Sequence, residues 1–159
     1  MNKIFAVLMM AGLTFGLALQ PVSAKDDAFH VESGSYLVYL GIVPVSLLNK
    51  NPDLVDQDRQ LHGGIAQLPA TMQHVMVAVF RKDNNARVLD ATVIAKVSRG
   101  KIFGLGGNEK PLEKMVTSGA VAYANFFDMP DRGDYRIEVN IFESHKTGSE
   151  KVRFTYVKD

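Results

Sequence analysis

The sequence predicts an all-β domain on three observations: apolar residues recur at every second position in several separate runs, turn-forming residues punctuate those runs, and no stretch carries the spacing of an amphipathic helix. Taken in order, Tyr36 to Val43 is apolar and aromatic and closes at Pro44. His74 to Phe80 places Val75, Val77 and Val79 on one face, and the turn residues Lys82, Asp83, Asn84 and Asn85 follow. Val88 to Val97 breaks at Asp90 and then alternates Val93, Ala95 and Val97 against Thr92, Ile94 and Lys96. A further strand is expected near Ala120 to Phe127, ahead of a turn at Pro130 to Gly133. The clearest alternation is Tyr135, Ile137, Val139 and Ile141 against Arg136, Glu138 and Asn140, so the second set is expected on the solvent face. Val152, Phe154 and Tyr156 close the chain.

Short strands at this spacing predict an immunoglobulin-like antiparallel β-sandwich of about seven strands, with an open barrel as the alternative. Two longer stretches interrupt the pattern, Ser46 to Thr71 and Ser98 to Pro111, and functional residues are expected there and at the adjoining strand ends. The aromatic pair Phe126 and Phe127, with Met129, is expected to cap the core.

The first residues read differently. Lys3 precedes an apolar run from Ile4 to Leu19, followed by Gln20, Pro21 and the small-residue site Val22, Ser23, Ala24. That order predicts a cleavable signal peptide over residues 1–24 and a single domain over residues 25–159, exported to the periplasm. The chain has no cysteine, which excludes a lipid-anchored lipoprotein, thiolate metal centres and thiol catalysis. Loss of Lys3 with the leader brings the formal net charge from +1 to zero, so no basic footprint for nucleic acid is present.

The sharpest chemical feature is Met72, His74 and Met76, which share one face if the segment is extended. Thioether and imidazole together form the donor set that soft Cu(I) prefers. His62, followed by Gly63 and Gly64, offers a second imidazole from the long loop, and Met115 a further thioether just before a predicted strand. The competing reading treats the methionines as core filler and His74 as a hydrogen-bonded structural residue. His30 and His145 are expected to be solvated. The nucleophile elbow, the His-Glu-x-x-His helix and a phosphate loop are all absent, so no enzyme is expected.

Two resemblances accompany these readings. The segment from His74 through Tyr156, with Val88, Leu89, Asp90, Ala91, Thr92, Val93 and later Gly133, Asp134, Tyr135, Arg136, Ile137, Glu138, Val139, resembles the small periplasmic immunoglobulin-like domains of copper resistance and respiratory-oxidase assembly. The stretch Met115, Val116, Thr117, Ser118, Gly119, Ala120, Val121, Ala122, Tyr123, Ala124, Asn125 is similar to the Met-Val-x-x-Gly-x-His-Tyr-Gly-x-Asn segment of the periplasmic copper-dependent iron-transport proteins. That similarity implies a copper-ligating role for Met115, while the family's histidine position is held here by Val121 or Ala122. The function expected is periplasmic, non-enzymatic copper handling or delivery through His62, His74, Met76, Met115 and Met72. The alternative is a metal-free interaction or assembly module that docks a membrane or periplasmic protein partner.

Overall fold

The computed structural model describes residues 29–50, 68–100, 106–117 and 119–159. The expected leader, His62 and most of the long loop lie outside the described residues. Among the described residues eight antiparallel strands and one short helix form: β1 (His30–Ser33), β2 (Tyr36–Pro44), α1 (Val45–Leu48), β3 (Met72–Arg81), β4 (Thr92–Arg99), β5 (Asn108–Thr117), β6 (Ala120–Asp128), β7 (Gly133–Phe142) and β8 (Glu150–Lys158). The strand order is β1-β2-β3-β6-β5-β4-β7-β8. The fold is therefore all-β as expected, with eight strands among the described residues where about seven were expected, hydrogen-bonded in one continuous order that makes a nearly closed barrel.

The two strands that periodicity did not disclose are β1 and β5. β1 has only four residues, too few to display alternation. β5 contains Pro111, which has no N–H for a ladder. The strand changes partner next to that proline. Residues up to Leu112 pair with β4, and residues from Glu113 onward pair with β6. β5 thus joins two halves of the barrel, as strands do at sandwich corners.

The alternating residues fill the interior. Val75, Val77 and Val79 of β3 meet Val93 and Ala95 of β4, Ile137, Val139 and Ile141 of β7, and Phe154 of β8, each nearly or fully excluded from solvent. Phe127 and Met129 join this core, while Phe126 belongs to a smaller apolar cluster outside the barrel with Val45, Leu48 and Leu68. β1 and β8 end the strand order. Among the described residues they share no ladder, and the Glu150 carboxylate bridges the gap by accepting the Ser35 N–H at 3.0 and 3.2 Å. Gly34, at φ +49°, sits directly against that carboxylate and leaves no room for a Cβ.

Candidate functional site

The β3 strand separates its two faces as its period requires. Gln73, Val75, Val77 and Val79 point into the barrel, and Met72, His74 and Met76 point out. Register extends the outer face across the neighbouring strands. His74 pairs with Val43 of β2 and Phe126 of β6, and Met76 pairs with Gly41 and Ala124. Glu113 of β5 also pairs with Ala124, and Met115 pairs with Ala122 one pleat further along. His74, Met76 and Met115 therefore emerge on the same face of the same sheet, with the small residues Ala122 and Ala124 between the two methionines.

Spacing decides which donors can meet. Strands lie about 4.8 Å apart and alternate residues about 6.8 Å apart, so the Cα atoms of Met76 and Met115 are separated by roughly 12 Å and those of His74 and Met115 by roughly 17 Å. Each side chain reaches about 4 Å from its Cα, and a ligand bond adds about 2 Å. Met76 and Met115 stand at the limit of that combined reach, about 12 Å for two side chains and two ligand bonds. His74 cannot share an ion with Met115.

The remaining predicted donors occupy more structural positions. His74 is 1 % exposed and its ring lies 4.7 Å from that of Phe126. Met72 packs against the outer apolar cluster. Met115 is 5 % exposed, whereas Met76 is half-buried with its thioether methyl lying over Gly41. Among the described residues no group of three or more histidine, aspartate or glutamate side chains converges as a metal cage. His62 lies outside the described residues.

A second constellation was not anticipated from the sequence. At the end of the barrel where the β1–β2 turn and the β7–β8 loop meet, Glu143 has a wholly buried carboxylate. It accepts hydrogen bonds from the Tyr36 hydroxyl and the Arg81 guanidinium. Lys146 Nζ lies 3.4 Å from the same carboxylate and His145 Nε2 lies 3.2 Å from it. Burial alone would raise the Glu143 pKa, but the Tyr36 hydrogen bond and the charges of Arg81, Lys146 and His145 outweigh it and hold the group below its ordinary value. Burial, and then the hydrogen bond to Glu143, push the Tyr36 phenol upward. His145 is thus engaged with Glu143 although its side chain is 62 % exposed, and His30 stacks on Tyr39 at 5.4 Å. No local motif signals this cluster, because Tyr36, Arg81 and Glu143 are far apart in the chain.

No protein family matches the sequence, and no curated protein matches it. Solved structures do. A DUF4426 family protein from Pseudomonas aeruginosa PAO1 is 14 % identical, with a TM-score of 0.52 over 80 % of this chain and 94 % of that one. A copper-bound variant of FetP from uropathogenic Escherichia coli strain F11 is 12 % identical, with a TM-score of 0.58 over 81 % of this chain and 93 % of that one. The copper-reconstituted P19 protein of Campylobacter jejuni is 13 % identical, with a TM-score of 0.55 over 81 % of this chain and 92 % of that one. At these identities the likeness establishes a shared fold.

Proposed function

We propose that this chain is an exported, non-enzymatic copper-handling protein of the periplasm, and that it holds Cu(I) on the outer face of the barrel between Met76 and Met115. The observation that carries the reading is the placement of these two thioethers on one face, about one ion's reach apart, across Ala122 and Ala124. Thioethers keep their lone pairs at any pH and suit Cu(I) in a chain without thiolates. The copper carried by the structurally similar FetP and P19 supports the same reading. His62 would complete the site, and His74 would act one pleat away by holding the β3 backbone against Phe126.

Anaerobic Cu(I) loading followed by metal analysis tests this. Wild-type protein should retain one equivalent, the Met76→Leu and Met115→Leu variants should retain far less, and His145→Ala should match wild type. A wild-type protein that holds no copper, or a Met76→Leu, Met115→Leu double variant that holds it as well as wild type, overturns the reading.

The second reading, a module that docks a membrane or periplasmic protein partner, is favoured by one feature. β1 and β8 lie close together at the seam of the barrel but share no ladder among the described residues, and unladdered edges accept extended segments. Failure of copper retention together with capture of a β-strand peptide along β8 would favour it.

A further inference from the structure

The end of the barrel above Glu143 carries a cavity of about 450 Å³, lined by Ser35, Arg81, Lys82, Asp83 and Lys146. It falls in the ~300–1,000 Å³ range of small-molecule sites. Three separate loops supply the lining, and they are tied together. Lys82 N–H donates to the Ser35 carbonyl at 2.9 Å, and Glu150 holds the Ser35 N–H. Below the cavity floor, Glu143 fixes both Arg81 and Lys146. The Ser35, Arg81 and Lys146 parts of the lining are thus held before any ligand arrives, which lowers the ordering cost of binding there.

The distribution of charge identifies the ligand. Arg81 and Lys146 share the single buried carboxylate of Glu143, and Lys146 also donates to the Tyr36 hydroxyl at 3.1 Å, yet their side chains remain 29 % and 35 % exposed, so the pair carries one positive charge more than that carboxylate balances. Lys82 is neutralised by Glu32 at 3.0 Å. Asp83 lines the same cavity as an exposed turn residue and forms no ion pair or hydrogen bond among the described residues. The lining of one cavity therefore carries both a surplus cation and a lone carboxylate.

We propose that this cavity binds a free amino acid in its zwitterionic form, the carboxylate held by Arg81 and Lys146 and the ammonium group held by Asp83. A simple anion would leave Asp83 facing it unpaired and repelling it. A simple amine would face Arg81 and Lys146. Only a solute that carries both charges satisfies both groups with charge-assisted hydrogen bonds. The proposal is independent of the copper reading, because the cavity lies at the barrel end and uses none of the methionine positions.

Saturation-transfer NMR of the purified protein with the proteinogenic L-amino acids, followed by calorimetric titration of those that respond, tests it. At least one amino acid should bind, and acetate, methylammonium and inorganic phosphate should each bind about tenfold or more weakly than it. The Asp83→Asn and Lys146→Met variants, checked for native circular dichroism, should each weaken the amino acid about tenfold. Absence of any amino-acid response, affinity unchanged in Asp83→Asn, or phosphate and acetate binding as tightly as the amino acid would overturn the proposal, the last outcome marking a plain anion pocket.

Discussion

Tyr36 donates its hydroxyl hydrogen to the buried carboxylate of Glu143, joining residues 107 positions apart at the end of the barrel where β1 and β8 are not laddered. The bond ties the start of β2 to the end of β7 and, through Arg81, to the end of β3. Glu143 is thus the polar closure of that barrel end.

Replacing Glu143 with Gln keeps the shape but removes the charge. Arg81 and Lys146 then lose their counterion, and because both are partly solvated the cost should be about 1–3 kcal/mol rather than the larger penalty of a fully buried pair. The pH dependence follows from the direction of the shift. The folded-state pKa of Glu143 lies below the ordinary 4.5, so its stabilisation is complete above that value and is lost as pH falls through the folded pKa. Urea unfolding of wild type should weaken below about pH 4.5, and Glu143→Gln should flatten that limb. Equal acid sensitivity in both proteins would show that other carboxylates control it.

The two faces of β7 make a second comparison. Ile137→Ala leaves a cavity in the core and should cost about 2–5 kcal/mol, whereas Arg136→Ala should cost about 0.5 kcal/mol. Glu138 departs from the solvated role its alternation predicts. It is 6 % exposed, accepts from Arg153 at 3.1 Å and has Lys151 at 3.7 Å. Both partners are about half exposed, so Glu138→Ala should fall between the other two, near 1 kcal/mol. Equal denaturant midpoints for Ile137→Ala and Arg136→Ala would contradict the assignment of faces.

What the sequence made legible is what period two encodes. β3, β6, β7 and β8 appear within a few residues of their expected bounds, because each buries one face against a common core. β5 was hidden by Pro111 and β1 by its length. The site was legible only as a list of donors. Residue type identified Met76 and Met115, but whether they meet depends on β6 lying between β3 and β5 and on the register of both ladders, which no local pattern encodes. Glu143 escaped for a related reason: its burial arises from Tyr36, Arg81 and Lys146, each contributed by a different segment.

Export gives the third prediction. Lys3, the apolar run to Leu19 and the Val22, Ser23, Ala24 site predict cleavage before Lys25. Expressed in a Gram-negative host, the protein should be released by osmotic shock with Lys25 as its first residue by intact mass. Recovery of the uncleaved chain from the membrane pellet would exclude the leader.

The last prediction concerns how Met76 reaches copper. Its thioether methyl rests over Gly41, where an added Cβ would stand 3.2 Å from it, so the side chain leans toward β2 and away from Ala124 and Met115. Bracketing an ion with Met115 requires Met76 to rotate toward β6. The unbranched thioether makes that rotation inexpensive. In methyl-labelled protein, the Met76 and Met115 resonances should therefore both shift on Cu(I) addition, while Met129, fully buried in the core, should stay in place. Gly41→Ala crowds the resting position by a few tenths of an ångström, which a flexible side-chain end can yield. That variant should lose less than about 1 kcal/mol of stability and should bind Cu(I) at least as tightly as wild type, since the competing position of Met76 is the one penalised. A Gly41→Ala protein that no longer retains copper, or a Met76 resonance that stays fixed while copper binds, would place the ion away from the β3–β6–β5 face.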